Sequence, residues 1–269
     1  MTNPLDYKPS PIPEDCHFRI GASSFYSFVQ TPWNWYREAV LKETLFDYNT
    51  SSVLGTCVHY CAEQYAKKEP IDKQMINAYI DKHPVKVDYD PYDVKEALPS
   101  MAEAVVNGYV KNTRPIGVEM CVAQEIGKGY AVSTSIDLLE GTKEDTLITD
   151  YKTYNSKTKP KSISPKYKTQ LLVTDYILRK HGYNPTRIRT VNVNRPCGGG
   201  LSEKTGKPLK VYPAEVTKLT EEITPEDREY IDNCLNLCVE SMEAAKKYPH
   251  LTHCIFHDMR LKLEEHNNE

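Results

Sequence analysis

The sequence predicts an α/β (α+β) fold, and three observations predict it. Helical apolar spacing recurs through the first 113 residues, short β-rich runs follow, and helical patterns return from Lys166 and from Thr224. The 269 residues fit one domain spanning 1–269, since a domain holds roughly 100–200. The expected sections are an irregular leader over 1–20, a mainly helical part over 21–113, a sheet with one helix over 114–215, and a helical region over 216–269.

The leader ends at Arg19-Ile20-Gly21. ASSFYSFVQTPWNWYREAVLKE opens with Ser23 or Ser24 as a cap and carries aromatics at helical spacing, which reads as one or two helices. Ser51 to Lys67 is a second helix, and residues 71–113 hold helical patterns interrupted around Pro84 and Pro91, with MAEAVVNGYVKN the clearest. The period then changes. CVAQEIGKGYAVSTSIDLLEGTKEDTLITDYKTYN breaks at Gly127-Lys128-Gly129 and Glu140-Gly141-Thr142, an antiparallel meander. Lys166 to His181 is helical and ends at Gly182, IRTVNVNRP is a strand, Gly198-Gly199-Gly200 is a mobile turn, and PLKVYPAEV is a further strand. A capped helix runs from Thr224-Pro225-Glu226-Asp227 to about Lys247.

With 26% charged residues, 39% hydrophobic, 12 Gly and 18 Pro, the composition excludes disordered, collagen-like and low-complexity classes. No apolar run approaches the roughly 18 residues of a membrane span, and the proline-broken start MTNPLDYKPSPIPED is unlike a secretion signal. An intracellular, cytoplasmic protein without membrane contact is expected. Its eight cysteines then read as reduced thiols or metal ligands. The net charge of -3 hides a strong asymmetry: residues 151–210 hold 14 basic and two acidic side chains, residues 211–269 hold six and 13, and the first 150 carry -8. The basic block reads as a solvated lysine-rich region or as a surface that tracks a polyanion.

The meander holds the most informative residues. Asp150 and Lys152 lie two apart on one expected strand and so share a face, and a twisted hairpin can bring that face near Asp137 on the preceding strand. Two carboxylates beside an ammonium suit a hard divalent cation with positions left for water and phosphate. Lysine can then orient or deprotonate a nucleophile. By itself Asp-x-Lys more often marks a surface ion pair. On the helix before it, His59 and Glu63 share a face, while Cys57 and Cys61 point elsewhere and read as core.

In this order the motifs resemble the PD-(D/E)xK nuclease superfamily, in particular its RecB-type exonuclease branch. Ser23-Ser24-Phe25-Tyr26-Ser27-Phe28 followed by Pro32-Trp33-Asn34-Trp35-Tyr36 resembles that branch's opening segment, and Gly55-x-x-x-His59-x-x-x-Glu63 its histidine motif. Ser135-Ile136-Asp137 and Asp150-Tyr151-Lys152-Thr153 resemble its two catalytic strands, and Gln170 its glutamine motif. The resemblance implies a restriction-endonuclease-like core, a central mixed β-sheet flanked by helices, with extra N- and C-terminal helices. It further implies that His59, Asp137 and Asp150, with the Tyr151 carbonyl, bind magnesium or manganese, that Lys152 acts on the attacking water, and that Gln170 positions the strand. Glu119 or Glu125 is a candidate additional acid, and the choice stays open. Lys157, Lys159, Lys161, Lys166 and Lys168, with Tyr167, are candidate nucleic-acid contacts.

The chain departs from the family at Thr134, where a glycine is common, and at Thr174, where a tyrosine follows the glutamine; Tyr167 is the candidate substitute. An iron–sulfur cluster is not expected, because the early position reads Thr31-Pro32 and the late region has only Cys254. His250, His253, Cys254 and His257 have the spacing of one helical face and are a candidate transition-metal group or ordinary packing. The implied activity is a metal-dependent DNA exonuclease acting on duplex ends or single strands, in recombination, repair or degradation, in a bacterial or phage-type setting. The alternatives are a catalytically silent nucleic-acid-binding scaffold and a restriction-type endonuclease. No GxxxxGK[ST] phosphate loop occurs, so unwinding falls to a helicase or recombination partner.

Overall fold

The computed structural model describes residues 5, 12–43, 48–83, 89–154, 159–198, 201–202 and 204–266. The anticipated meander is its centre: β2 (Pro115–Gly127), β3 (Tyr130–Gly141) and β4 (Thr146–Tyr154) succeed one another antiparallel. Gly127 and Gly129, at φ 110° and 77°, make the first turn, a backbone region open to glycine because it lacks a Cβ. After β4 the chain crosses back through α6 (Pro165–Lys180), so β5 (Pro185–Asn194) pairs parallel with β4. β8 (Val216–Glu222) adds antiparallel to β5, and β1 (Phe18–Gly21) adds parallel to the start of β3, giving a six-stranded mixed sheet.

Two of these strands correct the sequence reading. The expected irregular leader ends in β1, whose four residues are too few to show a period and are held by pairing with Tyr130 to Ser133. The sheet also continues past residue 215 into β8, where a helical region was expected; its VTKLTEE sequence alternates polar side chains outward, as an edge strand does. From PLKVYPAEV only β7 (Val211–Tyr212) and the first residue of β8 are strand, and β7 pairs with β6 (Cys197–Gly198) in a separate two-stranded ribbon.

Helices cover both faces of the sheet. α3 (Thr50–Lys67), α4 (Lys73–Lys82) and α5 (Pro91–Gly108) pack on Leu138, Tyr151, Val191 and Val193. On the other face α1 (Ala22–Gln30), α6 and α7 (Pro225–Lys247) cover Val132, Ile148 and Ile188, with α2 (Pro32–Ala39) and α8 (Thr252–His266) outside them. The restriction-endonuclease-like arrangement expected from the motifs is the observed one. Along β4, Ile148, Asp150 and Lys152 face α6, whereas Thr149, Tyr151 and Thr153 face α3 and α5.

Caps account for several boundaries. Thr224 accepts from Asp227 N–H, and Asp227 accepts in return from Thr224 N–H, a reciprocal box that starts α7. Ser164 and Pro165 start α6, and Pro91 opens α5 behind the Asp90 cap. Pro84 lies outside the described residues. Neither Ser23 nor Ser24 caps α1: Gly21 occupies that position, and Ser24 donates from inside the helix to its carbonyl. Among the described residues, no helix is long and apolar enough to cross a membrane.

Candidate active site in the cleft between β3 and β4

β3 and β4 pair only from Leu138↔Thr149 to Gly141↔Thr146. β4 then stays with β5 as far as Tyr154, and the start of β3 pairs with β1 up to Ser133. A cleft therefore opens along residues 134–137 of β3, and Asp137 stands at its apex. Its Oδ2 accepts the Tyr151 N–H at 2.6 Å, so a side chain replaces the ladder bond lost where the strands part.

α3 lies close enough to reach this point because Gly55 faces β4: an added Cβ there would meet Thr153 Oγ1 at 3.2 Å. One turn on, His59 Nδ1 is 3.3 Å from Asp137 Oδ2, and the imidazole stands edge-on to the Tyr151 ring. Burial lowers the affinity of His59 for its proton, but the charge and hydrogen bond of Asp137, joined by the charges of Asp150 and Glu119, together outweigh it and push the pKa up to about 9. Burial likewise tends to raise Asp137, yet His59, Lys152 and the Tyr151 N–H hold it below the usual carboxylate value. Cys57 and Cys61 are buried away from the cleft, with thiols pushed up by burial to about 12 and 11.

From the opposite face α6 supplies Gln170. Its Nε2 donates to Asp150 Oδ1 at 3.0 Å, and its Oε1 accepts from Lys152 Nζ at 3.3 Å. Lys152 Nζ also lies 2.7 Å from Asp150 Oδ2 and 4.6 Å from the centre of the Tyr167 ring. Burial disfavours the ammonium, but Asp150 and Asp137 more than compensate, so Lys152 remains charged. Asp150 is raised, mainly by burial and further by Asp137, despite the attraction of Lys152.

Glu119 completes the cleft. It lies between the pairs Val118↔Leu138 and Met120↔Ile136, across from Asp137, with φ at 48°. A left-handed backbone is costly for a residue with a side chain and gathers at functional sites. Burial and the Asp137 charge raise Glu119 to about 8. One ligand atom each from His59, Glu119 and Asp137 falls within 4.8 Å of the others, and among the described residues this is the one such cluster. An imidazole nitrogen and two crowded carboxylates fit a hard divalent cation, which would relieve their repulsion and take over the charge now carried by the His59 proton. The cluster differs from the expected set in that Glu119 joins it, whereas Asp150 turns to Lys152 and Gln170.

Other expected residues sit elsewhere. Glu125 lies opposite Ala131, farther along β2 and outside the cluster. Lys159 is ion-paired with Glu215 at 2.6 Å, and Lys168 with Asp227 at 2.9 Å and Glu221 at 3.5 Å. The acidic region thus neutralises part of the basic block. Lys161 and Lys166 are exposed beside the start of α6, and Lys157 lies outside the described residues. The two departures from the family meet: Thr134 and Thr174 are hydrogen-bonded through their hydroxyls at 3.0 Å. His250 falls in a short 3-10 turn ahead of α8, so the four-residue helical face does not form; His253 packs edge-on against Trp33 instead.

Among curated proteins, none matches the chain. The chain is similar in structure to an exonuclease candidate from Eubacterium rectale, at 12% identity and TM-score 0.48 over 87% of this chain and 82% of the other. It is also similar to LHK-Exo solved with dAMP, at 12% identity and TM-score 0.37 over 76% and 97%. The sequence profile of the PD-(D/E)XK nuclease superfamily matches residues 19–256, a span that takes in every residue of the cleft. The chain belongs to the PD-(D/E)XK nuclease superfamily.

Proposed function

We propose that the protein is a magnesium- or manganese-dependent deoxyribonuclease that hydrolyses phosphodiester bonds at DNA ends or in single strands, in recombination, repair or degradation. The observation that carries this reading is the convergence on one cleft of His59, Glu119 and Asp137 with the Asp150–Lys152–Gln170 group. His59, Glu119 and Asp137, with Asp150 alongside, would hold a divalent cation, which when bound would lower the pKa of water and supply positive charge for the phosphate.

The chain's own residues supply the rest. Lys152, fixed by Asp150, Gln170 and the Tyr167 ring, offers N–H donors to the attacking water or to a phosphate oxygen as charge develops there. Water adds its oxygen to phosphorus, the bond from phosphorus to the sugar oxygen breaks, and that oxygen takes up a proton. His59 and Gln170, the residues that resemble the exonuclease branch, both reach the cleft, which favours end-directed cleavage.

The test compares end-labelled linear DNA with closed circular duplex, in magnesium or manganese, for the wild type, Lys152→Ala and Asp150→Asn. Linear DNA should be degraded, circles spared and both variants inactive. Cutting of circles would move the reading to an endonuclease. DNA binding without cleavage by the wild type would move it to a scaffold.

A further inference from the structure

β4 and β5 run parallel, so both end at the same edge of the sheet, the side where parallel sheets bind ligands. From the end of β5 the chain enters the β6–β7 ribbon, extended by the bridge Leu201↔Pro208. Its base is tied to the catalytic strand. Arg195 N–H donates to Tyr154 O at 2.9 Å, two residues beyond Lys152, and Asn194 Oδ1 accepts from Glu215 N–H at 2.8 Å. At Gly198, with φ 87°, an added Cβ would meet Lys210 O at 2.1 Å, so the two legs of the ribbon can approach this closely only with glycine there.

The ribbon exposes two kinds of side chain that a solvated hairpin has little reason to combine. Leu201 is 66% exposed, Val211 64% and Leu209 49%. Lys204, Lys207 and Lys210 are exposed beside them. Elsewhere in the basic block several of the described cations are neutralised, with Lys159 on Glu215, Lys168 on Asp227 and Arg195 on Asp93. Among the described residues, none of the three ribbon lysines is in an ion pair; Lys210 rests on the Tyr212 ring. Apolar surface kept exposed next to these lysines matches a partner with anionic and flat apolar parts together.

We propose that the β6–β7 ribbon is a nucleic-acid arm. Its lysines hold phosphates, and Leu201, Leu209 and Val211 pack on unpaired bases of the strand that feeds the cleft. The occupant's identity rests on the nuclease reading above. Duplex DNA buries its bases in the stack, so the apolar contribution is confined to single strands or frayed ends, and the arm acts as the selector for them.

The test is fluorescence anisotropy with a labelled single-stranded oligonucleotide and its blunt duplex over a salt series, in a Lys152→Ala background that prevents turnover. Lys204→Gln/Lys207→Gln/Lys210→Gln should weaken single-strand binding about tenfold and reduce the salt slope by about 2, at roughly 0.7 per phosphate. Leu201→Ser/Leu209→Ser/Val211→Ser should weaken single-strand binding by about tenfold or more while sparing the duplex and the slope. Matching melting temperatures, or the single variant Val211→Ser, guard against misfolding. Unchanged single-strand affinity in both variants overturns the proposal. So does loss of a dimer in the apolar variant with affinity intact, which would assign the surface to a second copy. Arm-dependent binding with no cleavage by the wild type sinks the nuclease reading and leaves the arm; cleavage with arm-independent binding does the reverse.

Discussion

Tyr151 gives its backbone N–H to the carboxylate of Asp137 across the point where β3 and β4 separate. The carboxylate thereby has a structural task besides any chemical one. Asp137→Asn keeps an acceptor for that N–H but loses the charge, whereas Asp137→Ala loses both. Both variants should cut DNA at least about 100-fold more slowly. Only the alanine variant should strand the amide, at a cost of about 1–3 kcal/mol. Hydrogen exchange at the Tyr151 amide separates them: protection in Asp137→Asn and fast exchange in Asp137→Ala is the expected result.

Gln170 joins Asp150 to Lys152 by donating to one and accepting from the other. Gln170→Leu keeps most of the bulk and removes both bonds. Lys152 then loses one of its fixed partners, and a misplacement near 1 Å costs up to about 100-fold in rate. Single-turnover rates should fall by about 10- to 100-fold with substrate affinity little changed. A fall in affinity alone would make Gln170 a strand contact rather than a positioning residue.

Far from the cleft, Asp175 is buried between α6 and α7, accepting from Arg179 at 3.0 Å and from Arg228 at 3.2 Å. Removing one partner of a buried ion pair costs about 3–5 kcal/mol, because the remaining charge stays desolvated. The arginines keep partial access to water, so Asp175→Ala should lower stability by about 3 kcal/mol. Urea unfolding measures this, and cleavage at low temperature should be unaffected.

Tyr130 donates to Glu243 at 3.0 Å, joining β3 to α7. Burial, reinforced by the Glu243 charge, pushes the phenol up to about 12. Its folded value lies above the unfolded one near 10, so the unfolded chain gives up this proton first as pH rises. The stabilisation is complete below about pH 10 and is lost as pH climbs through the folded value. Tyr130→Phe should lose about 1 kcal/mol at neutral pH and show a shallower decline in alkaline unfolding titrations.

The same-face placement of Asp150 and Lys152 was legible because a strand has period two, whereas Gln170 was reached only through its likeness to a family motif. Glu119 was not separable from Glu125 by pattern. Its position opposite Asp137 depends on the register shift between Glu125 and Gly127 and on its own left-handed backbone, neither of which alternation reveals. The basic block was counted correctly but overstated as a surface. Glu215, Glu221 and Asp227 lie some fifty residues on in sequence and return beside Lys159 and Lys168 only once β8 pairs with β5. β8 itself escaped notice because an edge strand with one half-buried face reads as polar.

His59 enters the cleft from the α3 side of the sheet and Gln170 from the α6 side. The two come from separate helical layers that touch mainly through the sheet between them, and α6 is held in turn by α7 through the Asp175 cluster. The centre is therefore a conjunction: undocking either layer separates its residues even while the strands stay paired. During synthesis the late segments must arrive before the early histidine has a complete site to serve. The growing chain thus holds no complete centre until α6 has closed on the sheet.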